Sequence, residues 1–294
     1  MTSPERAADG PADELDDEPA ALLLAAFEGW NDAGNAASQA IDLISEAWDA
    51  EVVHEVDPED YHDFQVNRPH VATEPDGSRS LTWPGTSVSV ARTPASGRRV
   101  VLVRGIEPSM RWRSYCAELL DQAQRLGVGT VVCVGALLAD VPHSRPIPVQ
   151  VTSEDARVQA LLAVEGSDYE GPVGIVGVLS MAARAAGLHS ISVWAAVPHY
   201  VAQPPSPKAT LALLTSLEEI IGEPMPLGDL ADDARAWQHG VDELAREDPE
   251  VAEYVHQLEE AKDTAELPEA SGEAIAREFE RYLRRREKGG GAGS

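Results

Sequence analysis

FEGWNDAGNAAS, residues 27–38, follows the apolar run AALLLAA at 20–26 and leads directly into a helical pattern. The run is bounded upstream by acidic chain and is short, as a strand buried on both faces should be. Gly29 and Gly34 permit positive φ and close backbone approach, while Asn31, Asp32 and Asn35 are helix-capping residue types. Together these residues read as a strand-to-helix corner. In an open α/β sheet such corners lie at the carboxyl ends of the strands, where ligands are held.

Working outward, Ala36, Ala37, Ala40, Ile41, Ile44 and Trp48 recur at helical spacing. Residues 51–56 alternate as a half-buried or edge strand. Residues 57–69 form a polar loop, and a Pro-Asp-Gly turn then separates short antiparallel segments at 80–83 and 87–93. Buried strands are expected at 98–104, 128–134 and 190–197, and helices at 112–126 and 210–220. Residues 171–187 suggest a further strand, glycine, helix, glycine unit. The proline-rich loop VPHSRPIP, 141–148, cannot hold regular structure. Strands separated by helices favour an α/β three-layer sandwich with a mixed, mainly parallel sheet over residues 20–220. Residues 221–288 change to charged helical segments at 230–245, 249–263 and 271–287. Trp237, Val241, Leu244, Val251, Tyr254, Val255 and Leu258 supply docking faces on the first two. Residues 1–19 read as a disordered acidic tail and 289–294 as a flexible end.

The 294 residues carry a formal charge of -27, which argues against nucleic acid or an anionic membrane as partner. Much of that charge is terminal: residues 1–19 hold seven acidic residues against one Arg, and residues 218–294 hold twenty-one against nine basic ones. With two cysteines a disulfide framework is implausible, and no apolar run reaches the roughly 18 residues of a membrane span. An acidic start replaces the basic and apolar residues of a signal peptide, so the expected location is the cytoplasm.

Trp30, Asn31, Asp32, Asn67, Arg68, Glu107, His143, Arg145, His199, Tyr200 and Lys208 follow strands or sit in the polar loops, and topology could bring them to one cleft or subunit seam. A carboxylate such as Asp32 or Glu107 near His143 or His199 would permit acid–base chemistry, and Arg68 or Arg145 could hold an anion. The plainer alternative has Asn31 and Asp32 capping a helix, Glu107 pairing with Arg104 or Arg111, and the histidines bonding loop carbonyls. The dinucleotide, P-loop and common zinc motifs are missing, so neither cofactor nor metal is expected. Ser180 lacks the flanking glycines of a nucleophile elbow, and Cys116 and Cys133 lie in apolar settings.

Six stretches in order, GWNDAGNAAS (29–38), DFQVNRP (63–69), LTWP (81–84), RGIEPSMRW (104–112), VGALLADVPHSRP (134–146) and VWAAVPHYVAQPPSPKATLALL (193–214), resemble the actinobacterial branch of the proteasome-assembly-chaperone-two family. The resemblance implies a phosphorylase- or hydrolase-like α/β fold, homo-oligomers with a trimer as first choice, and proteasome subunits as partners. It points to a noncatalytic assembly chaperone or scaffold. Relatives that dock through a terminal hydrophobic–Tyr–any-residue motif differ from this chain, which ends Gly-Gly-Gly-Ala-Gly-Ser with Tyr282 inside. The competing expectation is a hydrolase or group transferase acting on a small polar metabolite at the strand ends.

Overall fold

The computed structural model describes residues 20–266. The corner forms as its residues dictate. Strand β1 (Ala21–Glu28) is buried along almost its whole length, and helix α1 (Ala36–Ala47) begins eight residues later. Between them Gly34 adopts φ 62°, and a Cβ there would meet the Ser206 Cβ at 2.6 Å. Glycine is therefore required by both conformation and space.

The chain continues through β2 (Glu51–Val56), β3 (His70–Thr73), β4 (Arg79–Thr82), β5 (Thr86–Arg92), β6 (Arg99–Ile106), α2 (Trp112–Arg125) and β7 (Val128–Ala139). It then forms β8 (Val149–Thr152), α3 (Ala156–Leu162), α4 (Ile175–Ala185), β9 (His189–Pro198), α5 (Pro207–Ile221), α6 (Leu230–Glu247) and α7 (Pro249–Glu266). Seven strands make one sheet in the order β2-β5-β6-β1-β7-β9-β8, and β3 with β4 makes a separate hairpin. The four central strands run parallel, with Leu24 opposite both Leu102 and Val132. Antiparallel strands close both edges. This is the α/β three-layer sandwich with a mixed, mainly parallel sheet.

Alternation along β1 feeds two cores. Leu22, Leu24 and Ala26 face α1 and α5, where Ile41, Ile44, Leu213, Leu214 and Leu217 pack. Leu23, Ala25 and Phe27 face α2 and α4, against Tyr115, Leu119, Ile175 and Leu179. Leu230, beyond the boundary expected near residue 220, belongs to the first of these cores.

Three local expectations are corrected. No strand precedes α4: Ile175, Val176, Leu179 and Ala183 bury at helical spacing, and β7 and β9 pair directly with each other where an extra strand would lie. Strand β7 does not stop at Val134 but runs on to Ala139, held by β9 over its whole outer half. On α6 the docking face is Leu230, Ala234, Val241 and Ala245, while Leu244 is 60% exposed. The helical segment expected at 271–287 and the two terminal tails lie outside the described residues. Among the described residues no helix is long and apolar enough to cross a membrane.

Candidate functional site

At the carboxyl end of β1 the sheet splits the corner residues between its faces. Asn31 is buried, and its Nδ2 donates to Glu107 Oε1 at 2.8 Å. The same oxygen accepts from the Ile175 N–H at 2.8 Å, the first residue of α4. Glu107 thus supplies the anion that a helix N-terminus favours, in place of a cap from Gly174, which has no side chain. Gly174 is needed there because a Cβ would meet Asn31 Oδ1 at 2.1 Å. The backbone completes the clamp, with Ala136 N–H donating to Asn31 O at 2.8 Å and Glu107 N–H to Glu28 O at 2.9 Å. Trp30, between them in sequence, points outward and is 66% exposed.

Asp32 turns to the other face. Its Oδ1 accepts from the N–H groups of Ala37 at 2.7 Å and Ser38 at 3.2 Å, capping α1. Burial pushes its carboxyl above the ordinary range, against the lowering pull of those hydrogen bonds. Oδ2 is buried and has no hydrogen-bond partner among the described residues. Asn67 reaches Ser109 Oγ at 3.5 Å on the Glu107 side, and Arg68 is exposed. Glu107 does not pair with Arg104, which instead bonds Glu28 at 2.7 Å and Asp42 at 2.9 Å.

The remaining candidates gather at the carboxyl ends of β7 and β9, under α6 and α7. His143 is 1% exposed, and its N–H donates to Tyr200 Oη at 2.7 Å. With that lone pair occupied, the Tyr200 hydroxyl can donate its proton to His143 Nδ1, also at 2.7 Å. Nδ1 is then an acceptor, so Nε2 carries the ring proton and donates to Asp242 Oδ1 at 3.0 Å. Burial holds the His143 imidazole below its ordinary value and pushes Tyr200 up to about 12. Lys208 Nζ donates to the His143 carbonyl at 2.5 Å and to Gln238 Oε1 at 2.6 Å. Arg145 grips Asp263 through two bonds at 2.8 and 2.7 Å and also reaches Glu259, which Ser144 bonds as well. His199 and Tyr254 share Asp140 Oδ1, each at 3.2 Å, and the rings of His199, Tyr200 and Tyr254 meet edge-on.

The eleven residues therefore do not line one pocket. Asn31 and Glu107 clamp α4, Asp32 caps α1, and His143, Arg145, His199, Tyr200 and Lys208 form a socket for the C-terminal helices. Arg145 is an anion site whose anions are Asp263 and Glu259. Asp242, Gln238, Glu259 and Asp263 complete the socket without having been singled out in the sequence, where they read as solvent charges on acidic helices. Their only signal was the change of composition after residue 220. Cys116 and Cys133 are buried, with thiols pushed up to about 11 and about 12 by burial. Among the described residues no three His, Cys, Asp or Glu side chains gather as a metal-binding group.

The model of the PAC2 family matches residues 26–245. The chain belongs to the PAC2 family. Among solved structures, a PAC2 family protein from Streptomyces avermitilis is 56% identical, with 80% of this chain and 99% of that chain covered and a TM-score of 0.76. A proteasome-assembly chaperone homologue from Mycobacterium tuberculosis is 47% identical, with 80% and 99% covered and a TM-score of 0.73. An archaeal proteasome activator from Pyrococcus furiosus, 16% identical with 78% and 94% covered, shares the fold at a TM-score of 0.61. A comparison with curated proteins returned no match. The PAC2 match continues past α5 and takes in most of α6, so the part of the socket built on Gln238 and Asp242 lies inside the matched span.

Proposed function

We propose that this PAC2 protein is a noncatalytic assembly or scaffold factor linked to the proteasome system, acting in the cytoplasm as a homo-oligomer. The observation that carries this reading is the fate of the crevice at the strand ends. The His, Arg, Lys and carboxylate groups that an enzyme would present there hold the protein's own helices. The proteasome link is supported by the Mycobacterium tuberculosis relative, a proteasome-assembly chaperone homologue at 47% identity. The acidic balance of the chain suits a partner with basic surfaces.

For assembly, the surface that best fits a second copy is the β3–β4 hairpin. Val71 and Leu81 are paired across it on one face and are 54% and 51% exposed, with Trp83 and Val66 also outside. Paired exposed apolar side chains of this kind mark contact surfaces. A trimer is the expected stoichiometry. The test is affinity capture from native cytoplasm with mass spectrometry, beside light scattering of the wild type and of Val71→Asp with Leu81→Asp. Recovery of 20S subunits, and a multiple of 31.4 kDa that falls in the variant, are the expected results. A wild-type mass near 31.4 kDa at micromolar concentration, or capture without any proteasome subunit, would overturn the corresponding half of the reading.

A further inference from the structure

Among the described residues β8 is the outermost strand of its side of the sheet. Ala196 N–H donates to Pro148 O, which makes 148, 150 and 152 the positions bonded to β9. Antiparallel alternation then turns the N–H groups of Val149 and Val151 away from the sheet. The segment after α3 touches this edge at one point, the bridge between Thr152 and Glu165, with Ser153 N–H donating to Glu165 O at 3.1 Å. Between the two lies a groove of about 510 Å³, lined by Val149–Thr152 on one wall and by Ala163, Val164, Glu165, Gly166 and Asp168 on the other, and Ser167 N–H ties the second wall to Glu154 Oε1 at 2.7 Å. Its lining carries two carboxylates, Glu165 and Asp168, and no Lys or Arg. Leu161 and Tyr169, which flank the second wall in sequence, are 82% and 60% exposed.

We infer that this groove takes an extended, positively charged peptide segment of a partner protein, added as a strand beside β8. Main-chain bonds to Val149 and Val151 supply the pairing, the carboxylates select Lys or Arg over acidic residues, and Leu161 and Tyr169 offer apolar contact. The inference does not depend on the proteasome-linked reading, since any partner bearing such a segment fits.

The probe is a short fluorescein-labelled peptide alternating Lys with Val, compared with its counterpart carrying Glu for Lys, on the full chain. The Lys peptide should bind and the Glu peptide should not. Glu165→Lys with Asp168→Lys should weaken binding about tenfold, since two attractions become two repulsions. Hydrogen exchange at the Val149 and Val151 amides should slow when the Lys peptide is added. Equal binding of both peptides, unchanged binding by the charge-reversed protein, or no slowing at those amides would overturn the inference. So would amides already slow without peptide at every protein concentration, which would mean the chain covers its own edge, or amides that slow as concentration rises, which would mean a second copy does.

Discussion

Replacing His143 by Ala tests whether the socket holds the C-terminal helices. The substitution deletes a ring that is 1% exposed, its neutral bond with Tyr200 and its bond to the Asp242 carboxylate. The neutral bond contributes about 1 kcal/mol and the charge-assisted one about 1.5–3 kcal/mol. Part of this is recovered, because Asp242 is 33% exposed and water can reach it, and because Tyr200 keeps the His143 N–H. A loss of about 3 kcal/mol, void included, is therefore expected for docking of α6 and α7. At 1.4 kcal/mol per tenfold, amides of 230–247 should exchange about 100-fold faster than in the wild type, with β1 unchanged. Hydrogen–deuterium exchange of the full chain measures both. Exchange of α6 within about threefold of wild type would refute the socket. In a cycle with Asp242→Ala the two losses should be non-additive by about 1–2 kcal/mol, whereas strict additivity would mean that His143 acts on its own surroundings alone.

Acidification should act through the same histidine. The folded state holds His143 below the ordinary 6.5, so the unfolded chain binds a proton that the folded chain refuses, and stability falls as pH drops below 6.5. The difference in urea midpoint between wild type and His143→Gln should shrink from pH 7.5 to about 5.5, and a constant difference would contradict the assignment. Asp32→Ala should cost about 0.5–2 kcal/mol as a lost cap while Asp32→Asn keeps most of it; equal losses would mean that the charge, not the two N–H bonds, matters. Gly174→Ala should lose about 1–3 kcal/mol by driving a Cβ into Asn31. By contrast Gly240→Ala, in open space within α6, should gain about 0.5–1 kcal/mol; thermal melts that rank the two the other way would overturn both readings.

The sequence by itself determined which segments are buried and with what period. The apolar runs became β1, β6, β7 and β9, the spacing of Ala36 to Ile44 became α1, and Asp32 reads as a cap because its partners Ala37 and Ser38 are five and six residues away. Short polar strands were poorly legible. The four residues of β8, Val-Gln-Val-Thr, alternate as a strand does but are too few for the pattern to stand out beside a proline-rich loop, and they pair because β9 offers an edge. At 171–187 the alternation of glycine and β-branched residues fits strand or helix equally, and the direct pairing of β7 with β9 is what excludes the strand. The candidate site was decided almost wholly by tertiary structure. Glu107 meets α4 across 68 residues, His143 meets Asp242 across 99, and Arg145 meets Asp263 across 118. Local pattern encodes how much of a side chain is buried, because burial repeats with the helix or strand. It does not encode which distant charge arrives beside it, because that depends on strand order and on where the last helices come to rest.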